Sequence, residues 1–135
     1  MNRQDKKVRE LGEKMQRILE LVEQQGGLIA GSLYTARTKC GRETCKCMKS
    51  DYRHANRCLS FKDGGRSRTR TIPDELAEEI RERTEAYRQA KALRKAMAAV
   101  SAELLEDISR IIADSARKGQ RDMLSALAKA RKEAK

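Results

Sequence analysis

Four cysteines fall within 19 residues, Cys40, Cys45, Cys47 and Cys58, spaced C-x4-C-x-C-x10-C, with the single histidine, His54, between the last two. Thiolate sulfur and imidazole nitrogen are the donors that zinc prefers. A closed tetrahedral shell of four cysteines, or of three cysteines and a histidine, marks a structural site. Gly41 allows a tight turn beside the first ligand. Lys39, Arg42 and Lys46 surround the thiolates with positive charge, which lowers thiol pKa and favours metal capture. The expected cofactor is therefore Zn2+, held by Cys40, Cys45 and Cys47. Either Cys58, at the start of a strand, or His54, in the loop, closes the shell. The bland alternative is a set of buried or redox-active thiols.

The second constellation is Arg66-Ser67-Arg68-Thr69-Arg70-Thr71. Side chains alternate along a strand, so Arg66, Arg68 and Arg70 share one face about 6.8 Å apart. That interval is close to the separation of successive phosphates on an extended nucleic-acid strand. Guanidinium groups pair bidentately with phosphate oxygens, and the interleaved hydroxyls add donors. Lys39, Arg42, Lys46 and Arg57 lie in the same segment and extend the candidate nucleic-acid surface. The competing reading is a solvated edge strand whose charges discourage aggregation. Catalysis finds little support. There is no Ser-His-Asp order, phosphate-binding loop or dinucleotide fingerprint, and a zinc with four protein ligands has no open position for water. The chain is expected not to be an enzyme.

The elements that position these residues follow from periodicity. Residues 3–25 predict a helix, with Val8, Leu11, Met15, Ile18 and Val22 at steps of three and four, Leu21 widening the stripe, and Gly26-Gly27 after it. From Leu28 to Lys39 the period shortens to that of a strand, kinked at Gly31. Alternation resumes at Arg57–Lys62. Asp63-Gly64-Gly65 signals a hairpin whose return strand runs to Ile72. Pro73, Asp74 and Glu75 then open a helix. Its seam runs from Leu76 through Ile80, Tyr87, Leu93, Met97, Val100, Leu104 and Ile108 to Ile111, with Arg83 and Ala90 filling the gaps, a mean step near the coiled-coil 3.5. Gly119 is expected to end it. Because 23 residues of N-terminal helix span only about 35 Å, the seam around Met97–Ile112 is expected to pair with a second subunit or with its own tail, a homodimer being favoured.

Composition bounds the rest. The 135 residues are 38% charged and 3% aromatic, with net charge +11. A chain so short of large side chains borrows stability from a metal or a partner. Residues 26–72 carry 11 basic against 3 acidic groups, so most of the excess lies in the cysteine-bearing segment. That imbalance suggests a polyanion, DNA being favoured over RNA. Met1 to Lys7 is hydrophilic, no apolar run of about 20 residues follows, and no membrane span is expected. A cytoplasmic location, where thiols stay reduced, is the expectation.

From Gly31-Ser32-Leu33-Tyr34 through Cys40-Gly41-Arg42-Glu43-Thr44-Cys45-Lys46-Cys47, the chain resembles a family of small uncharacterised prokaryotic zinc-knuckle proteins found near transposases and integrases. That family has a Gly-Ser-Leu strand, Cys-Gly-Lys-x-x-Cys-x-Cys, His-Gly-Pro, a Gly-Lys-Thr hairpin, a proline, and a long helix with a Tyr-Arg pair. Here these correspond to His54-Ala55-Asn56, Gly65-Arg66-Ser67, Pro73 and Tyr87-Arg88, so the resemblance covers residues 28–95. By position Cys40, Cys45, Cys47 and His54 match the motif. Cys58 stands where an aromatic is more usual, and the Gly-Pro after the histidine is missing. The resemblance implies a mobile-element context and a recombinase or transposase as partner.

The resulting expectation is an α+β protein: an N-terminal amphipathic helix (1–27), a basic zinc-binding antiparallel sheet of about three strands (28–73), a long coiled-coil-like helix (74–118) and a basic tail (119–135). Its expected role is nucleic-acid binding in recombination, transposition or their regulation. The alternative is a coiled-coil assembly adaptor with a solvated basic hairpin.

Overall fold

A computed structural model describes residues 2–134 and shows the expected α+β order, with one short helix, α2, that the residue pattern did not predict: α1 (Arg3–Glu23), β1 (Gly31–Thr38), α2 (Lys46–Lys49), β2 (His54–Asp63), β3 (Arg66–Thr71) and α3 (Asp74–Glu133). The strands form one antiparallel sheet in the order β1-β2-β3. The chain divides into two compact units, residues 15–94 and residues 1–14 with 95–135.

In the unit of residues 15–94, one tight reversal and one close approach set the sheet. Gly64 (φ 59°) and Gly65 (φ 83°) both adopt the left-handed region, and Asp63 pairs with Arg66 across them. This is the two-residue turn whose twist matches that of its strands, and side chains with a Cβ resist it. On β1, Gly31 faces Phe61, and a Cβ built there would lie 2.7 Å from the carbonyl oxygen of Ser60. Glycine is therefore required by close packing. Strand pairing starts at Gly31 rather than at Leu28, because the Ile29 N–H is spent on the Arg83 carbonyl.

The apolar core of this unit is small. Leu21 and the buried Ala86 and Ala90 pack with Leu28 and Leu93. Arg83, which interrupts the apolar seam of α3, has its own task. Its Nε donates to the Gly27 carbonyl at 2.8 Å and its Nη2 to that of Gly26 at 3.3 Å. Those carbonyls belong to the reversal after α1, where helix-end acceptors lack backbone partners.

In the unit of residues 1–14 and 95–135, the buried contact is ionic. Asp107 is 2% exposed, with Arg3 Nε at 3.2 Å, Lys7 Nζ at 3.1 Å and Arg110 also in contact. Lys7 reaches Glu103 as well, at 3.2 Å. Burial alone would push the Asp107 carboxyl upward, but Lys7, Arg110 and Arg3 outweigh it, and its pKa is held below the usual carboxylate range.

Three sequence expectations change here. The inward positions of α1 are Gln4, Lys7, Leu11, Lys14, Ile18 and Leu21, so Leu11, Ile18 and Leu21 of the predicted stripe face inward, while Val8, Met15 and Val22 are exposed. An apolar stripe wider than its partner leaves periodicity unable to choose which edge is covered. Similarly, Asp107 is buried while Ile108 and Ile111 are exposed. Lys7 reaches Asp107, so α1 covers α3 that far, and the uncovered stretch begins at Ile108 rather than Met97. Finally, α3 runs through Gly119 to Glu133. A mid-helix glycine costs only about 1 kcal/mol relative to alanine, too little to end a helix with strong formers on both sides.

Candidate metal centre

The end of β1 and the start of β2 are adjacent, since Thr38 pairs with His54. The intervening loop is folded by its own side chains. Gly41 (φ 84°) turns the chain directly after Cys40, and the Cys45 N–H donates to the Arg42 carbonyl at 3.0 Å. Cys45 is the N-cap of α2, and Cys47 lies within α2, fully buried. Arg53 clasps the loop, its Nη1 donating to the carbonyls of Cys47, Ser50 and Tyr52 at 3.1, 3.1 and 2.8 Å. Nothing in the residue pattern marks Arg53 for this work.

The loop brings four ligand atoms together. The sulfurs of Cys40, Cys45 and Cys47 and a ring nitrogen of His54 all lie within 4.8 Å of one another. Cys40 Sγ and Cys47 Sγ are 3.6 Å apart, and Cys45 Sγ and His54 Nε2 are 3.1 Å apart. Tetrahedral zinc, at ~2.3 Å from sulfur and ~2.0–2.1 Å from nitrogen, sets its donors roughly 3.5–3.8 Å apart, so small adjustments complete a shell. The Cys40 N–H also donates to Cys47 Sγ at 3.4 Å. The group is a Cys3His set able to hold a metal ion, and it fits zinc.

Cys58 is not in that group. It lies four residues beyond His54 on β2, about 13–14 Å along the strand, far outside a shared metal radius. Its buried thiol faces the Asn56 carbonyl at 3.9 Å instead. Between the two fourth-ligand candidates, the geometry favours His54.

The electrostatics of the cluster suit metal capture. The Arg42 N–H, followed by the Cys45 sulfur, brings the Cys40 thiol down to about 6. At Cys45 the Cys47 N–H acts to lower the pKa, but the Cys40 and Cys47 sulfurs and burial outweigh it and leave it raised. Neighbouring sulfurs cannot all carry charge cheaply without a cation, and a metal binding there displaces the remaining protons. The His54 ring packs edge-on against Tyr52 at 5.4 Å, and Lys46 Nζ sits 4.9 Å over the Tyr52 ring.

The predicted basic residues form two groups. Lys39, Arg42 and Lys46 lie in the metal loop. Arg66, Arg68 and Arg70 lie on β3, all six residues of which are exposed. The loop adjoins the His54 end of β2 and the hairpin turn its Asp63 end, about 30 Å apart at ~3.4 Å per residue. Register puts the arginine comb on one face with Leu59 and Phe61, which pair with Arg70 and Arg68. Arg57 falls on that face too, where its charge helps hold the Glu78 carboxyl down, after the larger effect of the Arg81 hydrogen bond. Arg68 is paired with Asp63 at 3.1 Å, at the surface.

Fold and site together define a small α+β protein in which a Cys3His knuckle ties off a basic three-stranded sheet. The chain belongs to the family described as a domain of unknown function, DUF6788, whose model matches residues 3–82. No curated protein and no solved structure matches it. Among the described residues no helix is long and apolar enough to cross a membrane.

Proposed function

We propose that the protein is a non-enzymatic nucleic-acid-binding protein whose Cys3His group holds a structural Zn2+, with duplex DNA as the favoured ligand. The observation that carries this reading is the arginine comb of β3, six consecutive exposed residues with Arg66, Arg68 and Arg70 on one face. It stands in a segment of 11 basic and 3 acidic groups. Edge position matters, because an outer strand offers its side chains to a phosphate backbone without steric shielding. Zinc would fix the two strand ends through Cys40, Cys45, Cys47 and His54, holding Lys39, Arg42 and Lys46 in place at the other end of the sheet. Four protein ligands leave the metal a structural role. The resemblance to proteins found near transposases and integrases makes an accessory role in recombination or transposition the setting for this binding.

The test is a salt titration of anisotropy-measured binding to duplex DNA, single-stranded DNA and RNA. Three neutralised phosphates give a log–log slope of at least about −2 to −3. Replacing Arg66, Arg68 and Arg70 together by glutamine should flatten the slope by about that amount with zinc retained. The control neutralises Lys129, Arg131 and Lys132. If only the control variant loses binding, β3 is a solvated edge. If the wild-type chain ignores all three ligands at moderate salt, the assembly-adaptor reading replaces this one.

A further inference from the structure

In the unit containing residues 95–135, the face of α3 that carries Leu104 and Asp107 turns polar after Ile111, at Asp114, Ser115 and Lys118. A second face begins at Leu105, about a third of a turn away, and recurs at steps of three and four to Ala130. None of its positions is charged. Its large members Ile108, Ile112, Met123 and Leu127 are 41%, 63%, 53% and 56% exposed. The spacing of the stripe is symmetric about a point between Arg117 and Lys118: Ile108 and Ile112 on one side match Leu127 and Met123 on the other, Ala116 and Gly119 form the waist, and the ends, Leu105 and Ala130, differ in size.

We propose that this face docks a second copy of the chain, antiparallel, with Ile108 against Leu127 of the second copy, Ile112 against its Met123, and Ala116 against its Gly119. Charge selects the occupant and its direction. One end of the stripe is flanked by Glu106 and the other by Lys129 and Arg131, whereas Glu103 is already paired with Lys7. Antiparallel docking brings unlike ends together, whereas parallel docking stacks like on like. Gly119 fits the same arrangement. A Cβ there would meet nothing within 4 Å, so packing within the chain gives no reason for glycine. At the waist of a two-fold helix pair, a missing side chain lets the backbones approach. A two-fold contact of this kind closes on itself and stops at two chains.

Sedimentation equilibrium of the zinc-loaded full chain tests this independently of any nucleic-acid binding. The expected mass is twice 15.3 kDa. Ile112→Glu should raise the dissociation constant by about 100-fold or more, since it buries an unpaired charge at the contact. Gly119→Leu should also dissociate the pair, although on a free helix it would raise helicity. Glu106→Lys should weaken the dimer, and adding Arg131→Glu should restore it. A wild-type monomer at 100 μM, a larger assembly, or a dimer indifferent to Ile112→Glu and Gly119→Leu overturns the proposal. A dimer that the charge exchange fails to restore overturns the antiparallel arrangement. Unchanged zinc content and helicity in each variant show that the fold has survived.

Discussion

Around Cys47 the chain buries sulfur, and around Asp107 it buries charge. The sulfur cluster is assembled from Cys40 to His54, residues close in sequence, so little chain entropy opposes its formation. The carboxylate draws Lys7 from a position 100 residues away. Both arrangements answer one shortage: with a single Phe, three Tyr and no Trp, neither unit assembles a thick apolar core. The first unit compensates with directional bonds and tight turns. The second relies on long helices and an ion pair between residues far apart in sequence. The contrast predicts that the two units fail under different insults.

The largest expected effect comes from the metal. Structural zinc supplies roughly 10–16 kcal/mol of apparent binding energy in small domains, so chelation should abolish the sheet signal while α3 stays largely helical. Circular dichroism with elemental analysis reads both, and a sheet that survives complete metal removal would break the comparison at its root. Ligand assignment gives the next sharpest contrast. Cys58→Ser should leave about one zinc per chain, whereas His54→Ala should cost more than the 10–100-fold in affinity typical of an outer-shell change. The reverse outcome would return Cys58 to the shell.

Within the sheet, Gly31→Ala forces a Cβ to 2.7 Å from the Ser60 carbonyl. A loss of about 1–3 kcal/mol is expected in denaturant melts, because the neighbour is backbone and cannot rotate away. An unchanged midpoint would mean that the β1–β2 register is looser than described.

The smallest effect belongs to the ionic contact. Asp107→Asn should lower the melting temperature by roughly 5 °C. Since the folded pKa of Asp107 is depressed, its contribution is fully present above the unfolded carboxylate value near 3.9 and is lost as pH falls through the folded value. The variant should therefore lack the part of the acid-induced loss that falls below about pH 4. Equal acid sensitivity in both proteins would show that Asp107 is not linked to folding.

Sequence alone determined the element order, the hairpin turn and the candidate ligands, because each is a short-range matter. Asp63-Gly64-Gly65 specifies its turn through backbone sterics, Pro73-Asp74-Glu75 specifies a helix start, and clustered thiols beside a histidine mark a candidate metal site. Tertiary structure decided the choices that were degenerate in the residue pattern. His54 joins the cluster and Cys58 does not, because strand geometry carries Cys58 about 13–14 Å further on. The inward face of α1 is the one through Lys7 and Leu11, because Asp107 lies opposite Lys7. Arg83 and Arg53 serve backbone carbonyls rather than a ligand, and charge counting gave no sign of it. Periodicity reports that a helix has an apolar side. Only the partner across the gap decides which edge of that side is covered, and whether a cation, a carboxylate or a methyl group is the better occupant.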